Sequence, residues 1–443
     1  MTIGALPGFR DFYPEDFAQR AYLFGAWRGV ARRYALAEYD GPPLESTELY
    51  TRKSGPEIVT QLYNFVDKGE REVSLRPEMT PTLARMVAAR ANSLRKPVRW
   101  FSIPQLFRYE RQQRGRLKEH FQLNVDIVGE PSVSADAELV ACGIDVMRSV
   151  GLTSDDIVVR FSNRHWLNAT LAGAGVEEPQ FPGVYHVLDK LHRQTHEVSL
   201  ERLAAAGLTS STAANVLTAV EHVATVGGKG VLASLAFATL AGELRTYLDY
   251  VSALLRDDAS NWMKLDLSIV RGLAYYTGIV FEIFDNKGAM RSICGGGRYD
   301  GLLAAVGGPD LPAVGFGMGD VVLLDLLKER GLVGARPRKL DVWVAAGGGE
   351  SADEVNEREV RSFAGRLRQE GFIVEYPLRR QSLGRQLRTA ADEGAHHAAI
   401  VHETGRAGDA VTVRNLETGE MRGPMSFDDA TSLLKGQVLQ QNG

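Results

Sequence analysis

RWFSIPQLFRYERQQRGRLKEHFQLNVDIVG, residues 99–129, is the stretch on which the fold turns. It reads as two strands of period two joined by a strongly basic loop. In the second strand Phe121, Leu123, Val125 and Ile127 share one face, and Gln122, Asn124 and Asp126 share the other. In the first, Phe107 and Tyr109 alternate with Leu106, Arg108 and Glu110. Burying the apolar sets together gathers Arg108, Glu110, Gln122 and Asp126 on the opposite surface of one hairpin. A guanidinium there suits a phosphate, and the neighbouring polar groups suit a small ligand. The loop adds Arg111, Arg114, Arg116 and Lys118, which fits a polyanion larger than a nucleotide. The competing reading is an antiparallel pair with one solvated face.

The remaining sequence has to decide between these. A chain of 443 residues, 44% hydrophobic and 24% charged, is an ordinary globular protein of about three domains. Its net charge of −4 gives no overall nucleic-acid signal, so such a partner would be held by local basic patches, and no DNA partner is expected. Cys142 and Cys294 form neither a disulfide framework nor a zinc motif. The opening MTIGALPGFRDFYPEDF lacks the basic and apolar regions of a secretory signal, and no apolar run approaches the ~18 residues of a membrane span. A cytoplasmic protein with no membrane partner is the expectation.

Along the chain, Pro14 and Glu15 open a helix with Phe17, Ala21, Phe24, Trp27, Ala31 and Tyr34 on one stripe. Residues 176–259 are Ala- and Leu-rich and read as a helical insertion that interrupts a sheet. The sheet resumes toward Phe284, and a Gly-spaced strand, Gly315 to Gly319, ends at Asp320, which reads as a helix cap. Gly331 to Lys339 reads as a linker between a first domain, 1–330, and a second, 340–443, whose strands and helices alternate as in a small α/β domain.

Three further stretches bear on chemistry. Glu78 and Thr80, in LRPEMT, either hold an α-ammonium group or cap a helix. In VRGLAYYTGIVFE, residues 270–282, Arg271 and one of Tyr275 and Tyr276 face a pocket, or the aromatics are packing. The glycines of GGGRYDG and GFGMG fit neither a phosphate loop nor a dinucleotide fingerprint; they clear one strand face, for a flat ring or for a neighbouring helix. The histidines, His120 among them, show no metal-ligand spacing and read as structural or surface residues, and no metal site is expected.

Taken in order, these stretches resemble a class II aminoacyl-tRNA synthetase, specifically the histidyl-tRNA synthetase family, over nearly the whole chain. Pro42-Pro43-Leu44-Glu45 looks like the first class motif, LRPEMT like the amino-acid-binding stretch, and FRYERQQRGRLKEHFQ like the second class motif. VRGLAYYTGIVFE and GGGRYDG match two histidine-specific signatures. The resemblance implies an α+β catalytic domain, with an antiparallel sheet, flanking helices and a helical insertion, followed by a small α/β anticodon-binding-like domain. It also implies a homodimer that uses ATP with Mg²⁺, L-histidine and tRNA(His). Arg108, Glu110, Arg116 and Arg271 would bind ATP. Glu78, Thr80, Arg108, Gln122, Asp126, Arg271, Tyr275 and Tyr276 would hold histidine, and Arg111 and Gln113 would meet the tRNA acceptor end. Arg108 and Arg271 would be the catalytic pair. Two departures stand out. The third class motif normally ends in Glu-Arg, but here Gly319-Asp320-Val321-Val322 leaves Val322 where the arginine is expected, with Arg116 placed to compensate. Ala274 replaces the usual aspartate of the first histidine signature. A non-catalytic, histidine-sensing relative of the ATP phosphoribosyltransferase regulatory subunit shares this core, but such subunits usually lack the C-terminal domain.

Overall fold

The computed structural model describes residues 3–51, 60–110, 115–234, 238–270, 276–287, 290–333, 340–347, 354–402 and 411–441. Two compact units divide it, Met1–Phe12 with Gln19–Gly334, and Tyr13–Ala18 with Ala335–Gly443.

The strands of the first unit are, in chain order, β1 (Ala37–Glu38), β2 (Leu44–Ser46), β3 (Tyr63–Val66), β4 (Glu72–Leu75), β5 (Val98–Ser102), β6 (Gln105–Phe107), β7 (Glu119–Val128), β8 (Ile157–Asn163), β9 (Met263–Leu265), β10 (Ile279–Asp285), β11 (Cys294–Arg298) and β12 (Ala313–Gly319). The large sheet runs β1-β5-β7-β12-β11-β10-β8-β9, antiparallel throughout its centre and parallel only at the two edge pairs. β2, β4 and β3 form a separate three-stranded sheet. Helices Arg164–Gly173, Phe181–Leu188, His196–Ala205, Ser210–Ser234 and Ala238–Leu255 lie in sequence between β8 and β9.

On β7 the alternation holds: Leu123, Val125 and Ile127 enter the main core, and Phe121 meets Phe24 edge-on. The opposite face is not solvated, since Asn124 and Asp126 are also buried. The hairpin's first strand departs from expectation. β5 and β6 keep one register against β7, Ser102 opposite Asn124 and Gln105 opposite Phe121, but the ladder breaks between them at Pro104, which has no N–H to give. Leu106 is the buried residue there, while Tyr109 is exposed, edge-on to Tyr63 with the Lys118 ammonium over its ring. The first helix, Pro14–Arg33, buries Leu23, Trp27, Val30 and Ala31 and leaves Phe17 exposed, so its stripe is turned from the one expected.

Asp320 does not cap the helix it begins. That helix, Asp320–Glu329, has Gly319 at its N-cap, so the carboxylate stands one residue too late. Fully buried, it accepts from the Phe121 N–H at 3.0 Å and pairs with Arg10 at 3.0 Å, and Arg10 also pairs with Glu119 at 2.6 Å. This ties the start of the helix to β7.

In the second unit β13 (Leu340–Ala346), β14 (Val374–Glu375), β15 (Ala395–Val401), β16 (Val411–Asn415) and β17 (Met421–Met425) form a sheet ordered β14-β13-β15-β16-β17. The first three are mutually parallel, the remainder antiparallel. Helices Glu354–Gln369 and Leu383–Asp392 follow β13 and β14, as the alternation predicts, and Phe427–Gln441 closes the chain.

Arg298 of the GGGRYDG stretch is a structural residue. Its Nε donates to both Asp136 oxygens at 3.2 Å, and Nη2 reaches Asp136 again and the Ser132 carbonyl. Nη1 donates to the Glu130 carbonyl at 3.1 Å and to Asp300 at 3.3 Å. β11 is thereby fastened to the helix Val133–Ser149. Arg298→Ala strands the buried Asp136 carboxylate and is expected to cost about 3–5 kcal/mol in urea unfolding; a loss below about 1 kcal/mol would contradict this account.

Candidate active site

The site begins at the turn after β4. Arg76 is buried, and its guanidinium donates to Asp40 at 2.7 Å, to the Gly41 carbonyl at 2.8 Å and to the Gln105 carbonyl at 3.0 Å. The Arg76 carbonyl accepts from the Phe107 N–H at 3.0 Å, and the Pro77 carbonyl accepts from Arg108 Nε at 2.9 Å. These bonds stitch the turn to β6 and hold Glu78 beside Arg108. The helix Thr80–Ala89 begins immediately after, with Met79 at its N-cap and no side chain capping it. The capping alternative for Glu78 and Thr80 is therefore not what this turn does. Both side chains line a cavity of about 350 Å³.

That cavity brings together Glu78, Thr80, Arg108, Glu110, Arg116, Gln122 and Tyr276. Arg271, Tyr275, Arg111 and Gln113 lie outside the described residues. Asp126 sits behind the wall: it is buried, and its carboxylate accepts from the hydroxyl of Tyr299, which does line the cavity. Arg116 is paired with Glu110, so the guanidinium expected at distal phosphates is partly neutralised by its own neighbour.

Glycines decide how these groups fit. Gly315 lies opposite Asp126 in the β7–β12 ladder, and a Cβ on it would stand 2.1 Å from Asp126 Oδ1. A Cβ on Gly317 would stand 2.6 Å from Gln122 Nε2. On β11, a Cβ on Gly297 would come within 2.5 Å of the Ile279 carbonyl and 3.0 Å of the Tyr276 ring. The cleared strand face thus receives the protein's own polar side chains, laid across β12 from β7.

Burial sets the protonation states. It pushes the Asp126 carboxyl up to about 7, with the Tyr299 hydroxyl pulling the other way. It also raises Glu78, opposed by Arg108. His120, another cavity residue, is brought down to about 3 by burial and by the charges of Arg108, Arg10 and Arg116, so its imidazole is neutral at physiological pH. His120 is a correction to the reading of the histidines as structural or surface residues. Its strand parity, shared with Gln122 and Asn124, is the signal that finds it. Tyr299 and Arg291 are further cavity residues, and Val322, which stands at the arginine position of the third motif, lines the cavity as well.

Comparison with known proteins now decides the family. The Histidyl-tRNA synthetase family model matches residues 8–320, and an Anticodon binding domain matches residues 341–437. The chain belongs to the histidyl-tRNA synthetase family. A histidine–tRNA ligase from Opitutus terrae is 42% identical, with 94% of each chain covered. The one from Thermoplasma volcanium is 38% identical over 95% of this chain and 96% of its own. The crystal structure of histidyl-tRNA synthetase from Nostoc sp. PCC 7120 matches with a TM-score of 0.80 at 23% identity, covering 99% of this chain and all of that one, a likeness of fold. Within the histidyl-tRNA synthetase frame, the first unit carries the cavity, and the second coincides with the anticodon-binding match.

The glycine geometry yields a test. The three atoms nearest a Gly317→Ala methyl all belong to the movable end of Gln122, so the fold is expected to survive while the KM for histidine rises about tenfold. Gly315→Ala meets Asp126 and also the Val125 carbonyl at 2.9 Å, so it is expected to lower the melting temperature as well. Kinetics and thermal melting check both; an unchanged histidine KM in Gly317→Ala would contradict the assignment of Gln122 to the wall.

Proposed function

We propose that this chain is a histidine–tRNA ligase, joining histidine to ATP as histidyl-adenylate with release of pyrophosphate and then passing histidine to the 3′ end of tRNA(His). One observation carries the reading: a single cavity gathers an acid, a hydroxyl and an amide, Glu78, Thr80 and Gln122, with the guanidinium groups of Arg108 and Arg116. The first set suits an amino acid, and the second suits phosphates.

In this reading Glu78 and Thr80 take the α-ammonium of histidine. The incoming cation favours ionised Glu78, which burial otherwise holds toward its neutral form. Gln122 and Tyr276 flank the side chain, and Asp126 acts through Tyr299 by fixing its hydroxyl. The histidine carboxylate is already ionised, so its attack on the α-phosphorus needs no strong base. Orientation and positive charge, from Arg108 on one side and Arg271 on the other, supply the rate. Glu110 faces the adenine and Arg116 the distal phosphates. Mg²⁺ carried by the nucleotide would supply positive charge to offset that of the departing pyrophosphate. Arg111 and Gln113 meet the acceptor end, and the 340–443 domain takes the anticodon. A cytoplasmic homodimer, paired through the first class motif, completes the proposal.

The histidine-sensing alternative is the weaker one, because the match to an anticodon-binding domain over residues 341–437 supports a protein that handles tRNA. Purified full-length protein with histidine, ATP and Mg²⁺ is expected to exchange labelled pyrophosphate into ATP and to charge tRNA(His). Arg271→Ala is expected to slow both by about 100-fold or more while staying folded. A parent protein that binds histidine yet exchanges no pyrophosphate would overturn the ligase reading in favour of the sensor.

A further inference from the structure

The side chains that the start of the helix Asp320–Glu329 brings to the cavity are those of Val321 and Val322, while Asp320 is turned to Arg10 and the Phe121 N–H. Val322 also packs at Gly115, where a Cβ would stand 3.1 Å from its Cγ2, so these valines lie beside the Arg116 end of the cavity. A second segment reaches the same place. The Gly319 N–H donates to the Ile293 carbonyl at 3.2 Å, which sets residues 291–293 against the residue just ahead of the helix. Arg291 and Ser292 of that segment line the cavity too.

Charge bears on what Arg291 does there. Among the described residues the cavity wall carries three arginines, Arg108, Arg116 and Arg291, against two glutamates. Arg116 is paired with Glu110, and Glu78 feels the charge of Arg108. Counted over the described lining, Arg291 tips the wall to net positive, and it stands on the segment bonded to the residue just ahead of the valines. We propose that Arg291 binds the β- and γ-phosphates of ATP, at the place in the cavity where the altered third motif offers only Val322. The inference rests on the ligase reading. In the activation step a histidine carboxylate oxygen bonds to the α-phosphorus, the bond from that phosphorus to its bridging oxygen breaks, and the electron pair leaves with pyrophosphate. Arg291 receives the charge that accumulates on the leaving group.

The test compares ATP with AMP, which lacks the phosphates in question. In the full-length protein Arg291→Gln is expected to raise the KM for ATP in pyrophosphate exchange by about tenfold or more, leaving inhibition by AMP and the KM for histidine unchanged. Arg291→Lys, which keeps the charge without the planar fork, loses less. An ATP KM that stays at the parent value, or a loss shared equally by ATP and AMP, would overturn the assignment. A parent protein without exchange would refute the ligase reading instead. Calorimetry of ATP and AMP binding then tests Arg291 separately, and an ATP-to-AMP affinity ratio equal in parent and Arg291→Gln overturns it.

Discussion

The site depends on an absence of side chains along one strand. Gly315 and Gly317 of β12 face Asp126 and Gln122 of β7 so closely that a methyl group at either position would overlap them, at 2.1 Å and 2.6 Å. Ladder hydrogen bonds fix the separation of the two strands, so the space cannot be opened by sliding them apart. The polar face of β7 can therefore be buried and still keep its side chains laid flat. Asp126 then finds Tyr299 from beyond β11, and the pair is held beneath the cavity surface.

Electrostatics follow from the same burial. A wall that gathers Glu78, Glu110, Arg108, Arg116 and Arg291 must balance its charges or pay desolvation, and the Arg116–Glu110 pair does part of that balancing. Burial keeps Asp126 and Glu78 inclined to hold protons and His120 inclined to shed one. A neutral His120 adds no positive charge to a wall already holding three guanidiniums, and it offers a flat, uncharged ring instead. The Arg10–Asp320 and Arg298–Asp136 pairs fasten the sheet to its helices, and Arg10 also adds its charge to those acting on His120.

What the sequence made legible was mostly local. The period of two along residues 119–128 places the polar face of β7, and the strand–helix alternation after Leu340 outlines the second unit. Long-range partners were not legible. Arg298 sits in a glycine-rich run whose role is set by Asp136, 162 residues earlier, and Asp320 is claimed by Arg10 from the chain's opening instead of by its own helix. The exposure of Tyr109 follows from the short length of β6, which ends two residues before it. β17 contains Gly423-Pro424 at the point where its ladder with β16 shifts register between Val411 and Val413. Arg291 stands in the segment just ahead of β11, where no periodicity reports which way a side chain faces.

In the proposed ligase one cavity takes histidine and the nucleotide together, with Arg108 at the α-phosphate. The most direct measurement is the affinity of a non-hydrolysable sulfamoyl analogue of histidyl-adenylate, compared with histidine and AMP separately. Spanning both halves of a single site, the analogue is predicted to bind at least about 100-fold more tightly than either fragment. An affinity no better than that of the tighter fragment would contradict a shared cavity.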